Sequence, residues 1–346
     1  MKNFFRAWLV TFGFCMKSVN DESDFLEQNP HELGFAEFYK NKIKPAAAKL
    51  EEIRINNLRK IASRGRWVLF LWITLPILYH IETTVSHSAN NIAALFVLIS
   101  LILLFSPLLI YTPISRFKEE AEEELFGKIF EFFGKSNYAQ QRERADALKD
   151  YQRFEILSQF DSDSWITRNY ISVNHQNINL NFERLEIDQS SGTVNSTLFN
   201  GCAILLNTKT NFDSRTIIIA NQFRNWRFVK SYQNKYKMNL QKMDVHEPEF
   251  NKLFSIYCED LFEAKNLITE EFRYQLENLP RTFGSKKVQA NLCDNKLLLT
   301  LDGVVNLFQF SASVFKPINL TDQCRQIIQQ MHLILNVADA LNLEQK

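Results

Sequence analysis

The stretch IAALFVLISLILLFSPLLIY, residues 92–111, decides how the rest of the chain is read. It carries no charge, and at 1.5 Å rise per residue its length matches the ~30 Å hydrocarbon core of a bilayer. Its polar side chains are Ser100, Ser106 and the terminal Tyr111, and hydroxyls of this kind can bond back to their own helix. Pro107 stands near one end, where a membrane helix tolerates it. The stretch predicts a transmembrane helix.

Upstream, WVLFLWITLPILYHI at residues 67–81 is shorter and holds Pro76 and His80. Trp67, Trp72 and Tyr79 supply interfacial aromatics, and a second span needs a partner if the chain is to return. Extension to residue 85 brings the segment near spanning length, with Glu82 at the outer interface. The expectation is a hairpin over 67–111, with spans 67–85 and 92–111; a re-entrant first segment is the alternative. Lys49, Arg54, Arg59, Lys60, Arg64 and Arg66 precede the hairpin, Arg116, Lys118 and Lys128 follow it, and the loop ETTVSHSANN has no Lys or Arg. The bias places both long ends in the cytoplasm.

The membrane part is a minority of the chain. Over 346 residues the net charge is +1 and the mean hydropathy slightly negative, which excludes a polytopic transporter and a strongly basic nucleic-acid binder. Thirty Phe against nine Gly and eight Pro leave ample apolar bulk for a core. Cys15, Cys202, Cys258, Cys293 and Cys324 are scattered and show no metal or disulfide spacing, so they are expected as buried thiols of a reducing compartment.

Amphipathic helices bracket the hairpin. Tyr39, Ile43, Leu50, Ile53, Asn57 and Ile61 fall near one stripe within 35–66, and Phe117, Ala121, Leu125, Ile129 and Phe133 repeat every four residues within 112–160. Both are expected to pack antiparallel as a cytoplasmic stalk, with a third helical stretch from Tyr138 to Ser158. Phe126, Phe130 and Phe132 lie off the main stripe and face either that stretch or another subunit. Residues 1–34 hold Phe4, Phe5, Trp8, Leu9 and Phe12 at helical spacing near Lys2 and Arg6. This fits an interfacial helix on an anionic leaflet as well as a terminal helix packed on the protein.

Over 161–346 the period changes. Ile178, Leu180 and Phe182 alternate with polar residues, and 195–206, 216–220 and 254–258 read as further strands. A helix is expected over Leu261–Leu279, ended by Pro280. A hairpin over 286–301 turns at Cys293-Asp294-Asn295, a strand follows at Leu307–Phe310, and a helix at Thr321–Leu343. The fold class is α+β: a two-span hairpin with a helical stalk, then an antiparallel-sheet domain.

Glu249–Phe272, EFNKLFSIYCEDLFEAKNLITEEF, resembles the DUF3137 family of bacterial membrane proteins. Supporting matches are Phe199-Asn200-Gly201, Asp294-Asn295-Lys296-Leu297 and Leu50-Glu51-Glu52-Ile53-Arg54, and the resemblance runs over about residues 35 to 316. It implies a multi-pass protein of the bacterial inner membrane, with a LemA-type membrane protein as a partner. It brings no activity and no catalytic residue.

Candidate sites are few. Glu259, Asp260 and Glu263 follow a short strand; such carboxylates serve acid–base chemistry or a divalent cation, or cap the next helix. Arg224, Arg227, Lys230, Lys235, Lys237 and Lys242 interleave with Trp226, Phe228, Tyr232 and Tyr236 and no acid. That stretch suits a solvated hairpin face, anionic lipid head groups or, more remotely, single-stranded nucleic acid. The histidines show no H-x-x-x-H spacing, and no nucleophile elbow or phosphate loop occurs; no cofactor, metal ligand set or catalytic group is expected. The expected function is a membrane-anchored scaffold or interaction module, assembling with itself or another membrane protein. A tethered hydrolase or divalent-ion sensor built on Asp260 is the second expectation.

Overall fold

The computed structural model describes residues 2–12, 24–85, 112–151, 154, 165–191, 194–221, 239–285, 287–304, 307–308, 312–318 and 320–342. The expected second span, 92–111, lies outside these. The chain divides into two compact units: residues 1–27, 34–126 and 310–322 form one, residues 28–33, 127–309 and 323–346 the other.

The first unit is built on one long rod. Helix α1 (Lys2–Thr11) precedes α2 (Phe35–Phe38). A π turn over Tyr39–Ile43 then leads into α3, Lys44–Val85, 42 residues and about 63 Å at helical rise. Pro45 does not interrupt this run. A proline lacks the N–H that an α-helix requires, and here the turn just before it widens, with the Lys44 N–H reaching Tyr39 O. The stalk expected within 35–66 and the first apolar segment expected over 67–85 are continuous in this one helix.

Along α3 the residues Ala47, Arg54, Ile61, Val68 and Leu75 are all buried. They stand seven apart, the seam of a coiled coil, and the seam passes from the charged half into the apolar half without a break. Helix α4, 112–130, supplies Phe117, Ala121 and Leu125 to the core. Lys49 and Glu124 pair at 3.4 Å, tying early turns of α3 to late turns of α4. Arg54 is fully buried yet matched: its guanidinium holds both oxygens of Glu51 at 2.7 Å and donates to Val314 O at 3.1 Å.

The second unit is a nine-stranded sheet in the order β1-β2-β3-β4-β9-β8-β5-β7-β6. Its strands are β1 (Lys135–Ala139), β2 (Trp165–His175), β3 (Ile178–Ser191), β4 (Val194–Asn207), β5 (Thr216–Ala220), β6 (Gln241–Met243), β7 (Phe254–Cys258), β8 (Lys287–Cys293) and β9 (Lys296–Asp302). Every pairing is antiparallel. Helices α5 (Arg144–Tyr151), α6 (Pro248–Leu253), α7 (Leu261–Leu267), α8 (Glu270–Phe283) and α9 (Thr321–Asn342) complete the α+β fold. The β2–β3 and β8–β9 turns place Gln176, Asn177, Asp294 and Asn295 at positive φ, the tight-hairpin geometry that Asn and Asp tolerate.

Several sequence expectations need correction. Helix was expected from Tyr138, but 135–139 pairs with β2 as the edge strand, so the sheet begins before residue 161, and the helix among the described residues of that stretch is Arg144–Tyr151. Leu261–Leu279 is two helices, because the Thr269 hydroxyl caps a new helix by accepting from Phe272 N. Pro280, expected to end the helix, sits inside it, and the αL cap Gly284 at φ 64° ends it instead. Leu307 and Phe308 form a turn instead of a strand.

Burial changes sides along β3. Leu180 and Phe182 are buried on one face; Glu183, Leu185 and Ile187 are buried on the other. Phe130 at the end of α4 stacks on Phe182 and meets Phe308 edge-on, filling the first face. Ala147, Tyr151, Phe154 and Trp165 cluster with Leu185, Ile187, Ala203 and Leu205 on the second. Where β4 crosses β9, a Cβ on Gly201 would stand 2.1 Å from Leu301 O. Gly201→Ala should therefore force these strands apart and cost about 1–3 kcal/mol in chemical denaturation; a wild-type midpoint would refute the close approach.

Candidate functional site

The acidic trio is fixed by the start of α7. Asp260 is the N-cap, its Oδ1 accepting from Phe262 N at 2.7 Å and Glu263 N at 3.0 Å. Glu263 reaches across to the loop before β5 and accepts from Asp213 N, Ser214 N and the Ser214 hydroxyl. Glu259 accepts from Arg215 N at 2.8 Å. All three carboxylates hold backbone N–H groups: Asp260 caps α7, while Glu263 and Glu259 hold the loop before β5. Among the described residues no cluster of three or more His, Cys, Asp or Glu could hold a metal ion.

Arg224, Arg227, Lys230, Lys235 and Lys237 lie outside the described residues. Lys242 stands on β6 and pairs with Asp244 at 2.8 Å. Phe126 and Phe130 are buried, and Phe132 is half-buried with its ring edge-on to Phe133. Phe130 is thus occupied by the core of its own unit. Cys202, Cys258, Cys293 and Cys324 are buried, and burial pushes the Cys202 thiol up, away from nucleophilic use.

An ionised cluster built into the core of the second unit was not singled out from sequence. Glu183, fully buried on β3, accepts from Arg142 at 3.0 Å and from the Tyr151 hydroxyl at 3.0 Å. Arg142 also holds Asp150 at 2.6 Å and lies over the Tyr170 ring, 4.5 Å from its centroid. Burial pushes the Glu183 carboxyl up, against the pull of Arg142 and the Tyr151 hydrogen bond. Burial likewise raises the Tyr151 hydroxyl, and the Glu183 charge adds to it. Glu183 Oε1 and Arg142 Nε have no partner among the described residues. The signal was present: in INLNFERLEI the apolar parity flips between Phe182 and Leu185, which turns Glu183 inward.

The cluster ties the 140–151 segment to the sheet, and its members are coupled by charge. Arg142→Met should cost about 3–5 kcal/mol in thermal or chemical unfolding, because it strands a buried carboxylate. Adding Glu183→Leu should recover most of that loss; a double variant as damaged as the single one contradicts the coupling. For the acidic trio, Asp260→Ala should cost about 1 kcal/mol. Magnesium or calcium should shift the melting temperature of neither that variant nor the wild type, and a shift confined to the wild type would reinstate a cation site.

The other feature is on α3. Trp67, Phe70, Trp72, Ile73, Ile77, Leu78 and Ile81 are each between 44% and 65% exposed. Among the described residues one helical run, Pro30–Leu78, is long and apolar enough to cross a membrane by length and composition.

Residues 197–343 match the family described as "Protein of unknown function (DUF3137)". The match begins within β4 and includes the Glu249–Phe272 stretch that carried the resemblance. No curated protein matches the chain. Among solved structures, the crystal structure of the mycobacterial trehalose monomycolate transport factor A, TtfA, matches at 10% identity and a TM-score of 0.35. It covers 64% of this chain and 96% of its own. A likeness that distant bears on neither fold nor function.

Proposed function

We propose that this chain, whose residues 197–343 belong to the DUF3137 family, is a membrane-anchored scaffold. In this reading α3 crosses the bilayer with its apolar half, residues 92–111 return the chain, and both termini lie in the cytoplasm. The sheet domain is then held near the inner leaflet of a bacterial inner membrane, where it meets a second copy or another membrane protein. The family resemblance adds a LemA-type protein as the partner to try first.

The observation that carries the reading is the exposed belt on α3. A core helix of a water-soluble protein buries such side chains, whereas here the seam takes Val68 and Leu75 and leaves the large residues outside. Exposed tryptophans at the start of the belt suit the head-group level. The Asp260 carboxylate is engaged as a helix cap, which favours a scaffold over the tethered hydrolase or ion sensor.

Two measurements test this. Phe70→Lys, Ile73→Lys and Ile77→Lys together should move residues 67–81 out of the bilayer, each lysine adding about 2.5–3.5 kcal/mol to insertion at the span centre, so that a label at residue 74 passes from lipid to water. A label at 74 that is already in water in the wild type, or unmoved in the triple variant, would sink the anchor. Gentle extraction of the tagged wild-type protein should yield a stoichiometric second membrane protein or a discrete multi-copy assembly. A lone monomer would contradict the scaffold.

A further inference from the structure

We infer that residues 28–33 form a pH-released clasp on α9, fastened by the stacked rings of His31 and His332 and kept in register by Glu32 and Arg325. All of these residues belong to the second unit, and the inference does not rest on the membrane reading.

The segment QNPHEL is built to hold one tight turn. Pro30 opens a 3₁₀ turn, Pro30–Glu32, at a position where its missing N–H costs nothing, and Leu33 N closes the turn by donating to Pro30 O. Glu32 is fully buried and folds back on the turn, accepting from Gln28 N at 2.7 Å and from Asn29 Nδ2 at 3.1 Å. It also accepts from Arg325 Nε at 3.0 Å, so the buried charge is matched from α9. Burial pushes the Glu32 carboxyl up, but these donors outweigh it and leave the group below its ordinary range. This half of the clasp therefore stays ionised in mild acid.

The other half titrates. The rings of His31 and His332 stack with centroids 5.1 Å apart and planes 17° from parallel. Arg325, His332 and Asp339 stand seven apart on α9 and so share one face. Consecutive residues of the turn thus meet α9 at two points about 10.5 Å apart along its axis. Two such points align the turn with the helix, which neither contact does alone.

Burial disfavours a proton on His332, the neighbouring His31 adds to this and Asp339 opposes it, which leaves the midpoint below the ordinary 6.5. Glu32 and Arg325, the other charges of the clasp, neutralise each other. A ring that resists its proton while seated takes it more readily once released. The stack is fully made above pH 6.5 and weakens as pH falls from there through the lower midpoint of the seated ring. A short segment held in this way opens locally, without unfolding of the sheet.

The test uses the full chain in detergent micelles and follows deuterium exchange by mass spectrometry. Exchange at the imidazole C2 positions reports the protonation midpoint of each histidine. Exchange of backbone amides, corrected for its intrinsic pH dependence, reports the opening of residues 28–33. In the wild type the His332 midpoint should lie below 6.5. Between about pH 7.5 and about pH 5, amide protection of 28–33 should fall about tenfold for each unit of that lowering. His31→Phe keeps a ring on His332 and removes the second titrating group, so the midpoint should rise and the acid loss of protection should shrink in step. Glu32→Gln leaves both rings in place and should lower protection at both pH values. A His332 midpoint at or above 6.5, or the same acid loss of protection in the wild type and His31→Phe, overturns the inference. Unchanged protection in Glu32→Gln overturns the role given to the ion pair.

Discussion

Large apolar side chains exposed along one half of α3 are the constraint on which the account of this protein depends. Each is worth about 1.5–3 kcal/mol when fully taken from water. Even half of that, summed from Trp67 to Ile81, is on the order of 5–10 kcal/mol, comparable with the whole stability of a typical domain. In the proposed reading the bilayer covers this surface. The heptad seam from Ala47 to Leu75 is too narrow to do it, since it uses one stripe of the helix and leaves the rest outward.

The same seam runs on from the exposed half of α3 into its charged half. Because α3 runs unbroken from Lys44 to Val85, a constraint on its apolar half is transmitted to its charged half as to a rod. Arg54 and Glu51 sit on that charged half and hold the 314–318 segment through Val314 O and Ile318 N. The buried ion pair is weak evidence for stability in itself, because desolvation offsets most of its attraction. Its role is positional: it allows one arrangement of the segment on the helix and penalises the others.

Much of this was legible in the sequence, for physical reasons that also explain the failures. Strands β3, β5, β7, β8 and β9 were readable because alternation and Asn/Asp turns are local signals. The apolar half of α3 was readable from composition. Strand β1 was missed because a short edge strand, KSNYA, has little apolar alternation and follows a strongly helical run. The break at Ile268–Thr269 was overlooked although Thr followed by two Glu is a helix start. The Glu183–Arg142–Tyr151 cluster was missed because it joins residues about 40 positions apart, which periodicity alone does not connect. Asp260 was read both ways, and in the structure its carboxylate is the N-cap of α7.

The central claim is that one helix is stalk and span together, and a spin-label accessibility scan along residues 47–81 in bilayers tests it most directly. The account predicts water-side relaxation with a period near 3.5 residues up to Arg66, then lipid-side oxygen relaxation on every exposed position from Trp67 onward. Uniform water accessibility through residues 67–81 would contradict it, and would mean that another protein surface covers the belt.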